Sequence, residues 1–177
     1  MPLHDLTLAA AIDEFRKTKA YAEKAFAQLR DEDFFARLND QQSSIAAYIR
    51  HLAGNMRSRW TDFLTADGEK PDRDRENEFA ETLVPRADLL ATWEAGWRTL
   101  FTALESLQPG DLERTVLIRH EPHTVVQAII RQIAHYTWHV GQIVLLAKHI
   151  KTTRNEPWNY MTIPPGGSQA FNRAKGL

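Results

Sequence analysis

Ile129-Ile-Arg131-Gln132-Ile-Ala-His135-Tyr-Thr-Trp-His139-Val-Gly141-Gln142-Ile-Val-Leu-Leu-Ala-Lys-His149-Ile150 is a long apolar run in which polar residues recur at helical spacing. Taken at 100° per residue, Val125, Ile129, Ile133, Val140, Ile143 and Ala147 form one stripe, which predicts a helix with that stripe in a core. Thr124 and Gln127 make a capping box just after Pro122, so the helix is expected to start there. Beside the stripe runs a second row, Ala128, Gln132, His135, His139, Gln142 and Leu146, apolar at its ends and polar in its middle. A solvent face would carry lysine and glutamate throughout. This row predicts instead a second seam, packed at both ends and open to chemistry at its centre. Two histidines four residues apart on a helix point the same way, so both imidazoles can reach one metal ion. Seven histidines in 177 residues give roughly 0.3 such pairs by chance, so the pair needs a third ligand from elsewhere in the chain.

Length and composition bound the rest. A chain of 177 residues fits one domain, read as spanning 1–177, and is long enough to build a core without a metal or disulfide. With 43% hydrophobic and 25% charged residues it belongs with globular proteins rather than with disordered or fibrous ones. A net charge of -1 gives no electrostatic footprint for a phosphate backbone, so nucleic acid is not the expected partner. No cysteine is present, so any metal must be held by imidazole and carboxylate. The first residues carry neither a basic nor an apolar leader, and no apolar run approaches a membrane span, which makes the cytoplasm the expected location.

Three further helices are predicted. Leu8, Ile12, Phe15, Ala22, Phe26 and Leu29 place the first over about Thr7 to Arg30. Ser43 or Ser44 caps a second, about Ser44 to Leu64, whose apolar stripe is Ile45, Ile49, Leu52, Met56 and Phe63. A polar row runs beside that stripe too: Tyr48, His51, Asn55, Ser58 and Asp62. Such a row is either a solvated flank or a functional face. Asp88 is expected to cap the third helix, with Trp93 and Trp97 in the core and Pro109-Gly110 ending it. The link from Thr65 to Pro85 is charged and reads as a loop. Its Asp72, Asp74 and Glu76 alternate like a calcium loop, but Asn77 and Leu83 stand where glycine and glutamate are required, so calcium is rejected. About 20 residues can run the length of a ~30 Å helix, which allows the second and third helices to be parallel. Glu113 to His120 has the content of one short strand without an obvious partner and is read as a connector. His120 and His123 read as turn residues, His149 as a partner of the helix dipole, and His4 as terminal. The tail from Lys151 is expected to be extended, pinned by its aromatics and lying over the site.

Joining the two polar rows brings together His51, His135 and His139. With a helix-borne His51-Leu52 and the segment His135-Tyr-Thr-Trp-His139-Val-Gly141-Gln142, of the form His-x-x-x-His-x-Gly-Gln, the chain resembles the DinB-like superfamily of four-helix-bundle metalloproteins. The stretch from Gly54 to Pro71 resembles an uncharacterised branch of it. The resemblance implies an all-α bundle in up-down-down-up order and the three histidines as ligands of a divalent metal, usually zinc or nickel. It also implies a possible low-molecular-weight thiol cosubstrate, since some members are thiol-dependent transferases or isomerases, and a homodimer.

Two functions follow. A site of three neutral histidines leaves coordination positions for water or a thiol, so an enzyme would perform S-transfer to an electrophilic small molecule or a hydrolysis. Asn55 and Gln142 are candidates to orient an imidazole, a water or a substrate. Tyr48 and Asp62 are candidate proton carriers. Arg57, Arg59, Arg73 and Arg75 offer an anionic substrate a landing place or are solvated charge. The alternative is a non-catalytic, stress-associated metal-binding homodimer. Imidazole alone suits zinc, nickel, copper and iron alike.

Overall fold

A computed structural model describes residues 3–177, with side chains from Asp5 onward, so the side chain of His4 lies outside the described residues. Four long helices carry the fold: α1 (Leu3–Phe26), α2 (Ile45–Trp60), α4 (Arg86–Glu105) and α5 (Val125–Thr153). A one-turn helix α3 (Arg75–Glu78), a hairpin of β1 (Thr115–Ile118) and β2 (Glu121–Thr124), a terminal α6 (Ser168–Ala174) and two short 3-10 helices, Glu32–Phe35 and Pro109–Glu113, complete the order.

The side-chain pairings give the directions. Gly96 of α4 faces Ala53 of α2, while Trp60, further along α2, lies among Thr99, Thr102 and Ala103, further along α4. These two helices are therefore parallel. Thr18 meets Thr137 at 3.2 Å, and Thr7 and Ala10 lie beside Val126 and Ile129, so α1 and α5 are parallel as well. Tyr48 reaches His139 whereas Asn55 reaches Tyr136, which makes α2 and α5 antiparallel. The bundle is all-α in up-down-down-up order, as expected. Phe15, Trp93, Trp97 and Tyr136, each at most 1% exposed, interlock at its centre, with Phe15 and Trp97 rings 6.3 Å apart and tilted 66°.

Several boundaries differ from the sequence expectation for local reasons. α1 stops at Phe26 because Gln28 and Leu29 bond three residues back, to Ala25 and Phe26, in a tightened turn. Leu29 is still buried, so its apolar period continued past the helix. Arg86 caps this end, donating to the carbonyls of Phe26 and Leu29 at 2.9 and 3.0 Å. Ser44 caps α2, its Oγ accepting from the Ala47 amide at 3.1 Å. α2 ends at Trp60 rather than Leu64, because Thr61 turns to an extended conformation and Asp62 follows with a left-handed φ of 50°. α4 begins after Pro85, not at Asp88, which instead sits in the first turn where an acidic side chain favours the helix dipole.

The connector before α5 is a true hairpin, with Val116 opposite His123 and Ile118 opposite Glu121. Its two turn residues, Arg119 and His120, both have positive φ, 55° and 63°, as a two-residue hairpin turn demands. Neither is the Asn or Gly such a turn normally shows. Asp67 compensates: its carboxylate accepts from the Arg119 amide at 2.9 Å and the His120 amide at 2.7 Å. Thr124 and Gln127 form the capping box that starts α5.

The tail leaves α5 and runs across the C-terminal end of α1. Asp33, buried, pairs with Arg154 at 2.9 Å, and the Asn159 amide donates to Gln28 at 2.8 Å. Trp158 packs on the core there, so the tail is pinned as expected but away from the histidines. Among the described residues no helix is long and apolar enough to cross a membrane.

Candidate metal centre

α2 and α5 cross antiparallel, and their two polar rows face each other. His51, 4% exposed, projects from α2, and His135 and His139 project from successive turns of α5. Ring centroids are 5.4 Å apart for His51 and His135, 4.9 Å for His51 and His139, and 4.8 Å for His135 and His139. One nitrogen from each imidazole lies within 4.8 Å of the other two. The Nε2 atoms of His51 and His135 are 3.3 Å apart. Two nitrogens held tetrahedrally at 2.0–2.1 Å from one ion stand about 3.3–3.4 Å apart, so this pair is already at chelating separation.

Hydrogen bonds on the outer side of the rings fix which nitrogen faces inward. Glu78 accepts from Nδ1–H of His51 at 2.9 Å, which leaves the Nε2 lone pair for the cluster. Gln142 Oε1 does the same for Nδ1–H of His139 at 2.7 Å. Arg73, almost wholly buried, donates from Nε and Nη2 to the Glu78 carboxylate at 2.8 and 2.9 Å. Burial alone would raise the pKa of Glu78, but these bonds from Arg73 and His51 hold it below the usual carboxylate range. Room for that carboxylate comes from Gly54, where a Cβ would lie 2.7 Å from the Glu78 Cδ.

His135 and His139 are held neutral. Desolvation, then the neighbouring His139 and His51, push His135 down to about 3, and burial and His51 lower His139. Neutral imidazole is the form that ligates a metal, so the donor chemistry, the Nε2 orientation and the spacing all fit a divalent ion.

Above the cluster opens a cavity of about 750 Å³. His51, His135 and His139 form part of its lining with Asn55, Gln132, Phe79 and Trp138, and five arginines, Arg59, Arg73, Arg75, Arg119 and Arg131, complete most of the rest. Phe79 stacks against His51, with centroids 4.6 Å apart and planes at 30°. The link between α2 and α4 thus covers the site, a position the sequence reading had given to the tail.

The other candidate residues divide. Gln142 lies behind His139, its Oε1 accepting from the ring at 2.7 Å. Asn55 lines the cavity, but its Oδ1 accepts from the Tyr136 hydroxyl at 3.0 Å rather than holding an imidazole. Tyr48 packs its ring 5.4 Å from that of His139, and burial raises its pKa, so its phenol stays protonated near neutral pH. Asp62 is not brought to the cluster. It is exposed past the end of α2, beyond the more than two turns of helix that separate His51 from Trp60. Arg57 lines a separate cavity between α2 and α4. His120 sits exposed in the hairpin turn, and His123 lies in β2 with Nδ1 3.0 Å from the Glu121 carbonyl. Neither joins the cluster.

Sequence reasoning missed Glu78, Phe79 and Trp138 as parts of the site, and gave Arg73 a substrate to hold rather than Glu78. Only one signal marked the stretch of the first two: Asp74, whose side chain caps α3, stands before an otherwise charged run that ends in the aromatic Phe79.

No curated protein matches the chain. A family model described as a protein of unknown function, DUF1572, matches residues 4–167. The chain therefore belongs to the DUF1572 family, whose function is unknown.

Proposed function

We propose that this protein is a divalent-metal-dependent enzyme acting on a small molecule, with His51, His135 and His139 as its metal ligands. The observation that carries the proposal is the convergence of three imidazoles, two of them oriented from behind by Glu78 and Gln142, at the floor of an open cavity. The up-down-down-up order and the His-x-x-x-His-x-Gly-Gln pattern support placing the family within the DinB-like superfamily. Zinc or nickel is the favoured ion, and S-transfer from a low-molecular-weight thiol to an electrophilic carbon the favoured reaction, with hydrolysis next.

A bound divalent ion supplies a positive charge that stabilises the conjugate base of a thiol or water near neutral pH. The residues of the chain do the remainder. His135 and His139, held neutral, add no compensating charge, and Glu78 and Gln142 keep the inward lone pairs of His51 and His139 aimed at the cluster. Asn55 is held by Tyr136 at the cavity wall, and Phe79 and Trp138 wall the opening. In S-transfer the thiol proton leaves to solvent through the cavity mouth. The new C–S bond forms as the bond from carbon to the leaving group breaks, and the leaving group departs with that electron pair.

The outer face of α5 favours a second function, a non-catalytic, stress-associated metal-binding homodimer. Ile130, Trp138 and Leu145 are 60%, 70% and 64% exposed and lie along one side of the helix, an apolar strip that a second copy would cover.

Metal analysis of protein purified without a histidine tag tests the shared premise. The expected result is close to one equivalent of metal, lost in the His135→Ala/His139→Ala variant. Less than about a tenth of an equivalent, unchanged by that variant, would reject the site. The metal-loaded protein is then assayed with several thiols and monochlorobimane, and with ester and amide panels. Binding without turnover on any of them favours the non-catalytic homodimer, which light scattering on the purified protein would show as twice the chain mass.

A further inference from the structure

We infer that the cavity over the three histidines receives a small molecule bearing an oxyanion, a carboxylate or a phosphate monoester, and that Arg131 and Arg75 hold its charge. The inference deepens the enzyme proposed above, since it concerns the same cavity, but it stands on residues other than the metal ligands.

The lining contains five guanidinium groups and, among the described residues, no carboxylate. Two carboxylates stand behind it, and both are committed. Glu69 takes Arg59 at 3.0 Å, Arg119 at 3.1 Å and Arg73 at 3.4 Å, and Glu78 takes Arg73 and His51. Two negative charges against five positive ones leave an excess of about three before any metal is added. That excess sits in a recess on a chain whose net charge is -1.

Arg131 and Arg75 carry most of it. Arg131 is exposed and makes no hydrogen bond or ion pair with any described residue. Arg75 has only a loose pair with the exposed Glu76 at 3.7 Å, and its guanidinium instead lies 5.2 Å from the centre of the Phe79 ring. Because Phe79 in turn stacks on His51, the column Arg75, Phe79, His51 fixes one cation above the cluster. Arg131 stands one helical turn before His135 on the same face of α5, about 6 Å along the axis. An oxyanion between these two arginines therefore lies within about a helical turn of the histidine nitrogens, and the rest of its molecule faces them.

Solvated rim charge would explain exposed arginines, but it does not explain the floor. Arg59 and Gln132 are 5% and 3% exposed, both line this cavity, and each keeps a buried polar atom without a partner: Nε of Arg59, a donor, and Oε1 of Gln132, an acceptor. Buried polar atoms are costly to leave unpaired. Both atoms are covered as the side chains stand, so a ligand that combines an anionic oxygen with a hydroxyl or N–H supplies the missing acceptor and donor once the two side chains turn toward it.

The test uses the full chain, stripped of metal by chelation and dialysis, titrated calorimetrically at low ionic strength with inorganic phosphate and, separately, with succinate. One of the two is expected to bind at one site, and whichever binds more tightly identifies the phosphate or the carboxylate source. Arg131→Ala is expected to weaken that binding about tenfold and Arg75→Ala several-fold, while Arg98→Ala, on the exposed face of α4, changes nothing. His135→Ala/His139→Ala should keep anion binding while abolishing zinc binding measured in a separate titration. Zinc binding without anion binding would overturn this inference and leave the metal site standing, and anion binding without zinc would do the reverse. Binding of neither anion up to about 10 mM, or an Arg131→Ala titration equal to wild type, overturns it. So does Arg131-dependent binding of a single-stranded oligonucleotide of about ten residues that is tighter than both anions, since the ligand would then be a polymer.

Discussion

Replacing Gly54 by alanine should weaken metal binding without adding or removing any group that touches the metal position. Gly54 follows His51 by three residues on α2, and a Cβ there would lie 2.7 Å from Cδ and 3.2 Å from Cγ of Glu78, with Oε1 nearer still. Carbon atoms sit comfortably at about 3.5–4.0 Å, so the carboxylate must retreat by about 1 Å. It is held by His51 at 2.9 Å and by Arg73 at 2.8 and 2.9 Å, and a shift of that size takes at least one of these contacts beyond hydrogen-bonding distance. Two effects oppose each other in stability. Alanine for glycine inside a helix contributes about 1 kcal/mol, while each charge-assisted bond lost removes about 1.5–3 kcal/mol. The metal-free protein is therefore expected to lose about 1–4 kcal/mol in urea unfolding. Zinc affinity, measured by competition with a chromophoric chelator, is expected to fall about 10- to 100-fold, because His51 loses the partner that fixes its tautomer and ring angle. Glu78→Ala should lower affinity similarly. The Gly54→Ala/Glu78→Ala double variant should be no worse than Glu78→Ala alone, since the new methyl group then has no carboxylate to displace. Wild-type zinc affinity in Gly54→Ala with unchanged circular dichroism, or additive losses in the double variant, would refute the claim that Glu78 positions His51.

Three further outcomes are expected. Gly96→Ala should destabilise by about 1–3 kcal/mol despite its gain in helix propensity, because its Cβ would meet the Ala53 backbone Cα at 2.8 Å and wedge α2 from α4; a thermal midpoint equal to or above wild type would contradict this. Tyr136→Phe should cost about 1–3 kcal/mol, measured by denaturant unfolding, because the fully buried hydroxyl accepts from Trp60 Nε1 and donates to Asn55, both at 3.0 Å. In metal-free protein, His135 with its pKa near about 3 binds no proton at pH values where the unfolded chain, near 6.5, does. The stability tied to its neutral form is thus complete above pH 6.5 and lost as pH falls from there toward 3, by about 1–2 kcal/mol at pH 5 after allowing for its partial exposure. His135→Gln should flatten the dependence of unfolding free energy on pH between 7 and 5, and parallel curves for variant and wild type would count against it.

Periodicity revealed what packs and left hidden what is held from a distance. α5 was legible because its two rows obey one helical period: Val125, Ile129, Val140, Ile143 and Ala147 are buried, and the polar row is buried at Ala128, Gln132 and Leu146 but half-exposed at His135, His139 and Gln142. His51 was legible for the same reason, as a polar residue on a row that the opposing helix must meet. Tyr136 belongs to the apolar stripe by its spacing, three residues after Ile133 and four before Val140, although the stripe was read without it, and it is fully buried against Phe15 and Trp97. Asp62 misled because the row predicting it assumes a helix that continues, and the extended Thr61 ends α2 first. The hairpin was hidden because its strained turn is satisfied by Asp67, fifty residues upstream, a partner that no local pattern discloses. Glu78 was hidden for a related reason: within a run of alternating charges, nothing in the sequence distinguishes the one carboxylate that will be buried.

The topology explains why that carboxylate reaches its place. Since α2 and α4 are parallel, the link between them must return along the whole length of α2, and α2 holds it at successive turns. Near its C-terminal end Ser58 donates to the Gly68 carbonyl at 2.8 Å and accepts from the Lys70 amide at 3.0 Å. Midway His51 takes Glu78, and one residue nearer the start of α2 Arg50 donates to the Ala80 and Thr82 carbonyls. At the N-terminus Ser44 donates its hydroxyl to Glu81 at 2.6 Å. As the link advances from residue 68 to 81, its partners on α2 retreat from 58 to 44, so the chain descends the helix. The return path also crosses the hairpin, where the Gly68 amide donates to Leu117 at 2.8 Å, which sets Arg119 beside the same opening. A connection that is long only to satisfy helix direction thereby delivers the carboxylate behind one histidine, the aromatic ring above it and two of the arginines at the cavity. Both the arrangement of the three histidines and the cationic lining therefore depend on one register, and an insertion that shifts the link by a residue would disturb the two together.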